Sequence, residues 1–156
     1  MMVCGRLGRA PGRWKVGPAM EALLNEIRFK DGLVPAVIAD AAGQVLVLCY
    51  MDREALGKTL QSGLIHVFRR SRGRVMLKGE TSGHTQQVKE VRIDCEGNSL
   101  LFIVEQRVAA CHTGYSTCYF RRYVPERDEF EVCAERVFDP DAVYGRQQSP
   151  GRPGRE

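Results

Sequence analysis

The chain has 156 residues, 44% of them apolar, which is enough for one domain with a core and too few for two. No apolar run approaches the ~18 residues that a membrane helix needs, and no apolar stretch follows the basic N-terminus as in a secretory signal. The formal net charge of +4 comes from the two ends, because residues 20–144 hold 16 basic and 18 acidic residues. A body with a net charge near −2 argues against a membrane surface or nucleic acid as its partner.

Composition divides the chain into three segments. Residues 1–19 are basic and free of acid, and residues 145–156 are rich in Gly, Pro and Arg, so both are predicted to be disordered. The first segment is a dispensable extension or a short targeting sequence, and a single domain is predicted over 20–144. Six cysteines without an export signal favour metal binding or burial over disulfides, and a cytoplasmic location.

The first half of the domain is predicted to hold two short helices and a hairpin. An amphipathic helix is predicted for MEALLNEIRF, where Leu23, Leu24 and Ile27 recur at helical spacing. The β-rich runs LVPAVIAD and QVLVLCYM, separated by AAG, predict a hairpin. Asp52 is then a suitable N-cap for a helix over REALGKTLQS, which Gly63 would end.

The second half is predicted to consist mainly of strands. A strand over LIHVFRR precedes the polar stretch 71–85. Two further hairpins are predicted, one joining QQVKEVRIDC to SLLFIVEQ and one joining TCYFRRYV to FEVCAERVF. Two helices with six or seven strands indicate a single-domain α+β fold with mostly antiparallel sheets.

The stretch VAACHTGYSTCYFRR contains two thiols seven positions apart, Cys111 and Cys118. Together with Cys95, which ends an earlier strand, they could bind Zn²⁺ tetrahedrally with water as the fourth ligand. An open position of that kind distinguishes a catalytic zinc from a structural one. Ordinary buried cysteines would give the same spacing, so both interpretations stay open.

Oxygen-bearing side chains surround Cys95 in the stretch RIDCEGN. In an extended backbone Asp94, Glu96 and Asn98 would share one face and suit a hard cation such as Mg²⁺. The alternative is the solvated acidic turn of a hairpin, for which Glu-Gly-Asn is suitable turn chemistry.

A cationic stretch, FRRSRGRVMLKGETSGHTQQ, lies between the two halves. Arg side chains and exposed backbone N–H groups suit phosphate recognition, although RNA binding or a solvated loop would fit the same pattern. The candidate phosphate-binding residues are Arg70, Arg72, Lys78, Thr81 and Ser82.

Two histidines lie in polar loops beside these candidate sites. His84 and His112 are therefore candidates for catalytic acid–base roles. By contrast, Cys49 and Cys133 alternate with apolar strand residues and are predicted to lie in the core.

Taken in order, five stretches resemble the phosphoribosyl-AMP cyclohydrolase family, the enzymes of the third step of histidine biosynthesis. They are DGLVPAVIAD, YMDREAL, RSRGRVMLKGETSGH, RIDCEGNSLLFIVEQ and ACHTGYSTCYFR. The resemblance implies an intertwined homodimer with two active sites across the subunit interface. It also implies one zinc per subunit, held by Cys111 and Cys118 of one subunit and Cys95 of the other.

The resemblance further implies a reaction and a second metal. The substrate would be 1-(5-phosphoribosyl)-AMP, whose adenine ring opens at the N1–C6 bond when zinc-activated water attacks C6. His112 and His84 would move protons, and the cationic cluster would hold the phosphates. The family's magnesium motif would correspond to Asp94, Glu96 and Asn98.

The chain departs from the family pattern at three notable positions. Glu96 and Asn98 stand where the family has Asp, and Met76 stands where it usually has Trp. The oxygen cluster then carries two charges instead of three and should bind Mg²⁺ less tightly. Two alternatives therefore remain, a family member with altered activity and a zinc-stapled RNA-binding module.

Overall fold

The computed structural model describes residues 20–145, so the predictions for 1–19 and 146–156 lie outside the described residues. The described elements are α1 (Met20–Glu26), β1 (Val34–Asp40), β2 (Val45–Met51), α2 (Arg53–Ser62), β3 (His66–Arg69), β4 (Arg74–Leu77), β5 (Gln86–Ile93), β6 (Leu100–Gln106), β7 (Arg121–Val124), β8 (Glu129–Val132) and α3 (Pro140–Tyr144).

A four-stranded sheet in the order β2-β1-β6-β5 is the centre of the fold. Its outer pairs, β1 with β2 and β5 with β6, are antiparallel, whereas the central pair β1 and β6 is parallel. Alternate residues of the central strands are buried, as expected for period-two side chains with one face on the core. Ala36 and Ile38 of β1 and Phe102 and Val104 of β6 are at most 1% exposed.

Helix α2 has the predicted caps. The Asp52 side chain accepts a hydrogen bond from the backbone N of Ala55 at 2.7 Å. At the other end Gly63 adopts a left-handed conformation, and its N–H donates to the carbonyl of Thr59. These bonds satisfy helix-end groups that would otherwise lack partners, and they position the buried face of α2 on the core.

The α+β prediction with mostly antiparallel pairing is confirmed, and all three predicted hairpins are present. Two described elements were not predicted. Strand β4 lies within the polar stretch and pairs with β3, so that His66 lies opposite Leu77 and Arg69 lies opposite Arg74. The arginines around this turn obscure the alternation of apolar and polar residues from which a strand is predicted. Helix α3 has only five residues, too few to show periodicity.

Two further observations concern residues 20–145. Cys133 is exposed just beyond β8, so its predicted place in the core is wrong, whereas Cys49 is half-buried beside the core.

No described helix is both long and apolar enough to cross a membrane. The cytoplasmic location and the intertwined homodimer stay predictions.

The turn between β5 and β6 packs tightly against the chain that follows α1. The carbonyl of Gly97 accepts a hydrogen bond from the N–H of Arg28 at 2.8 Å. Gly97 has φ +73°, and a Cβ atom there would overlap the carbonyl oxygen of Glu26. This close approach requires glycine and anchors the turn that carries Asp94 and Cys95.

Gly97→Ala should therefore lower the free energy of unfolding more than Gly43→Ala. Both positions have positive φ, which costs an alanine about 1–2 kcal/mol, but Gly43 has no atom within 4 Å of the added Cβ. The overlap at Gly97 should add about 1–3 kcal/mol. Urea denaturation of both variants measures the difference, and equal losses would contradict the close approach.

Candidate metal and active site

The cysteine loop, residues 107–120, follows β6 and is bonded to the start of β2. The backbone N of Cys118 donates to the carbonyl of Leu46 at 2.7 Å. The Thr117 hydroxyl donates to the carbonyl of Val45 at 2.8 Å. Because both acceptors begin the edge strand of the rigid sheet, these bonds fix where the second thiol lies.

Buried amides support the loop from the side of β5 and β6. Gln86 Nε2 donates to Gln106 Oε1 at 3.1 Å, and Gln106 Nε2 donates to the carbonyl of Ser116 at 2.8 Å. Lys78 Nζ donates to the carbonyl of Ala110 at 3.0 Å. Buried hydrogen-bonded chains of this kind restrict a loop to one conformation. The loop is thus supported on both sides.

The thiols of Cys111 and Cys118 interact directly, and the pair is electrostatically asymmetric. A hydrogen bond from the Cys118 thiol is the main reason that the pKa of Cys111 is lowered to about 5. Thr113 Oγ1, 2.9 Å from the Cys111 sulfur, contributes a second hydrogen bond. The same thiol–thiol bond, together with burial, raises the pKa of Cys118. One thiolate and one thiol therefore share the proton near neutral pH.

This asymmetry has a chemical consequence for metal binding. Cysteine binds zinc as the thiolate, so Cys111 already has the form that a metal would need, whereas Cys118 would have to release a proton. The positive charge of Lys78 lowers the pKa of Cys118 and so favours that release. Neighbouring Cys49 is different, because burial raises its pKa to about 12 and keeps it a neutral thiol.

Cys95 lies at the other end of the sheet from this pair. It belongs to the turn before β6, whereas the cysteine loop follows β6. A strand of this length spans about 20 Å at the usual rise per residue. Accordingly, no three Cys, His, Asp or Glu side chains within residues 20–145 are grouped so that they could hold a metal ion. The predicted three-thiol set does not form within one subunit.

The oxygen-bearing residues around Cys95 occupy a turn, so the extended backbone assumed for them was wrong. Asp94 Oδ1 accepts hydrogen bonds from the backbone N of Asn98 at 2.6 Å and of Ser99 at 2.9 Å. Asn98 Nδ2 donates to Glu96 Oε2 at 2.7 Å. The Asp94 side chain closes the turn locally, which is a common role of aspartate.

A cavity of about 250 Å³ lies beside this turn and contains residues that the sequence patterns did not single out. Its lining is Asn25, Glu26, Arg28, Ile93, Asp94, Cys95, Glu96 and Gly97. The segment after α1 reaches the turn only through the fold, so no local pattern could have indicated its Arg28.

The candidate phosphate-binding residues fall into two groups. Arg70 and Arg72 are exposed in the β3–β4 turn, where the Arg70 guanidinium lies 4.1 Å from the centre of the Tyr50 ring. Lys78 follows β4 and bonds to the cysteine loop. After it, Thr81 is exposed, and Ser82 Oγ accepts a hydrogen bond from the backbone N of His84.

The two candidate histidines lie in different surroundings. His112 is exposed next to Cys111, and its charge helps to lower the pKa of that thiol. His84 is half-buried, and its pKa is lowered first by burial and then by the charge of Arg107. The Arg107 N–H donates to the carbonyl of Thr85 at 2.9 Å, which brings the His84 segment beside the start of the cysteine loop.

The chain is similar in sequence to enzymes of the hydrolase class. A family model described as phosphoribosyl-AMP cyclohydrolase matches residues 47–120. The phosphoribosyl-AMP cyclohydrolase of Methanocella arvoryzae is 48% identical over 76% of this chain and 97% of its own. The enzymes of that name from Haloquadratum walsbyi and Salinibacter ruber are each 50% identical, over 76% and 80% of this chain and 88% and 98% of their own.

The chain therefore belongs to the phosphoribosyl-AMP cyclohydrolase family and is an enzyme of the hydrolase class. The matched region contains both thiols of the cysteine loop, the β5–β6 turn and both candidate histidines.

In metal-free protein, the ultraviolet absorbance of thiolate should show one group titrating near pH 5, which is Cys111. Cys118→Ala removes the main hydrogen bond and should move this titration up toward the ordinary value of 9.0. Because the pKa of Cys111 is lower in the folded chain than in the unfolded chain, ionisation of this thiol stabilises the fold. The contribution is complete above about pH 9, shrinks as the pH falls from 9 to 5, and is lost below about 5. Cys133→Ala, at an exposed thiol, is the matched control, and an unchanged titration in Cys118→Ala would contradict the thiol–thiol bond.

Proposed function

We propose that this protein hydrolyses the N1–C6 bond of the adenine ring of 1-(5-phosphoribosyl)-AMP, in a zinc-dependent reaction that is the third step of histidine biosynthesis. The observation that carries the proposal is the hydrogen-bonded pair of thiols, Cys111 and Cys118, in a chain that shares about half its sequence with phosphoribosyl-AMP cyclohydrolases. Membership of an enzyme family argues against a zinc-stapled RNA-binding module.

The donor chemistry supports zinc at the thiol pair. Two cysteines that already share a hydrogen bond, one of them a thiolate, suit a metal that prefers sulfur ligands at about 2.3 Å. Ligands at that distance cannot include the Cys95 of the same subunit, which lies at the other end of β6. We infer that Cys95 of the partner subunit completes the set, so that each homodimer has two shared sites.

Three protein ligands would leave one coordination position for water. A zinc ion bound in that way supplies water activated for attack at neutral pH. The N1 substituent makes the adenine ring electron-poor, so C6 would be open to addition of water and the C6–N1 bond would then break. C6 would become a carboxamide carbon, and the former N1, still bonded to C2, would take up a proton and become the N–H of an amidine.

The two histidines supply the proton transfers. His112 is next to Cys111 and exposed to substrate, and His84 is kept neutral by burial and by the charge of Arg107. A neutral imidazole can accept the proton of the attacking water, and an imidazolium can return it to N1 as the ring opens. General acid–base catalysis of this kind contributes at least about 10²-fold.

The cations Arg70, Arg72 and Lys78 hold the phosphates of the substrate. Arg70 and Arg72 extend from the β3–β4 turn, and the half-buried Lys78 ammonium donates to the cysteine loop with one of its three N–H groups. Thr81 and Ser82, three and four positions after Lys78, add hydroxyl groups. Binding the phosphates at a distance from C6 orients the ring for attack.

Magnesium would be held by the β5–β6 turn, through Asp94, Glu96 and the amide oxygen of Asn98. Oxygen ligands suit this cation, but Asn98 is neutral and its amide donates to Glu96, which takes up part of that carboxylate. This observation favours magnesium binding that is weaker than a three-carboxylate cluster would give. Weaker magnesium binding is also the change on which the alternative function, a family member with altered activity, depends.

Cys95→Ser and Cys111→Ser should each abolish turnover and zinc binding, because each removes a proposed ligand. Mixing the two inactive proteins and allowing subunits to exchange should restore about a quarter of wild-type activity, since half of the dimers then contain one intact site. Turnover and zinc content of each sample are the measurements.

Cys133→Ser is the matched control and should retain full activity and zinc. One of the two proteins is labelled with ¹⁵N so that the mass of the mixed dimer verifies exchange. No recovery on mixing would then contradict a shared site, and full activity of Cys111→Ser would contradict the ligand assignment itself.

Arg72→Ala should raise KM about tenfold while kcat changes less than about threefold, because a phosphate contact remote from C6 binds ground state and transition state alike. Steady-state kinetics measure both constants. Arg53→Ala, at an exposed arginine on α2, is the control. A fall in kcat with KM unchanged would instead indicate contact in the transition state.

A further inference from the structure

The segment Arg136–Phe138, here called the strap, crosses from the β7–β8 hairpin to the site and contacts two of its loops. On one side Arg136 pairs with Tyr115 in an isolated antiparallel bridge, and the Val137 N–H donates to the carbonyl of Gly114 at 2.7 Å. On the other side the Phe138 ring meets His84. None of the three strap residues was singled out by the sequence patterns.

The strap approaches the cysteine loop as closely as backbone allows. A Cβ atom on Gly114 would overlap the carbonyl oxygen of Phe138 and crowd the Arg136 side chain. The Arg136 guanidinium also lies over the Tyr115 ring, 5.7 Å from its centre. Glycine at position 114, three residues after Cys111, is therefore required for the strap to lie where it does.

Phe138 makes the contact with the histidine. The two ring centres are 4.6 Å apart, and the rings are inclined at 76°, an edge-to-face arrangement. Aromatic pairs in this geometry attract each other beyond the gain from burial, so the imidazole has a preferred orientation. The chain leaves Phe138 in a fixed direction, because Asp139 Oδ1 accepts a hydrogen bond from the N–H of Asp141 at the start of α3.

We propose that Phe138 is a positioning residue for the reaction: through the strap it ties the His84 imidazole to the cysteine loop. The inference rests on the proposed role of His84 in proton transfer. Burial beneath the Phe138 ring also keeps the imidazole in the neutral form that can accept a proton. Arg107 is the charged group whose field reaches His84, and it acts in the same direction.

The test uses Phe138→Leu, which keeps apolar bulk and removes the ring. Since the chain has three histidines, their imidazole resonances can be separated by NMR, and His84→Asn identifies the signal of His84. Phe138→Leu should shift that one signal by loss of the ring current and raise its titration toward 6.5. Phe138→Tyr, which keeps the ring, should leave it near its wild-type position.

Kinetics distinguish positioning from general support of the fold. Phe138→Leu should lower kcat about tenfold with KM within about twofold, and it should have no further effect in a His84→Asn background. Phe130→Leu, at a ring that is 66% exposed on β8, is the matched control and should match wild type.

An unmoved His84 signal in Phe138→Leu, or losses that multiply independently in the double variant, would overturn the proposal. Absence of turnover in wild-type protein would instead count against the proposed function, and the NMR comparison would then decide the positioning contact by itself.

Discussion

The direction of β6 within the central sheet determines where the candidate metal ligands lie. The strand begins after the turn that contains Cys95 and ends just before the loop of Cys111 and Cys118, so its extended backbone, about 20 Å long, separates Cys95 from the pair. Hydrogen bonds to the start of β2 fix the loop, and packing at Gly97 fixes the turn, so neither end can move to meet the other. A zinc site that used all three thiols, as proposed, would therefore have to draw on two subunits.

Local electrostatics prepare the thiol pair for that role. The shared proton leaves Cys111 as a thiolate without any metal, and the nearby Lys78 ammonium favours the loss of the second proton. The same lysine is bonded to the loop backbone, so it positions and polarises the pair at once. Because the folded chain already favours the Cys111 thiolate, a cation that binds the folded pair and not the unfolded chain would add to the stability of the fold, which would link occupancy of the site to stability.

Local patterns predicted the elements whose signals are local. Helix α2 follows from Asp52 and Gly63, and the strands of the main sheet follow from β-rich runs between turns. The thiols, the oxygen cluster and both histidines were also picked out by residue type. The sequence did not reveal where these residues lie relative to one another. Packing between distant segments separates Cys95 from the thiol pair, brings Phe138 against His84 and places Arg28 in the cavity. Strand β4 was missed because it has only four residues and follows an arginine-rich turn, so that only its pairing with β3 reveals it.

The most direct measurement is turnover of 1-(5-phosphoribosyl)-AMP by the purified protein, followed through the absorbance change of ring opening, before and after a zinc chelator. Turnover should be present at first, be lost with the chelator and return when zinc is added back. Turnover that persists after the chelator has removed all zinc would contradict a zinc-dependent hydrolase, as would no turnover in protein replete with zinc and magnesium.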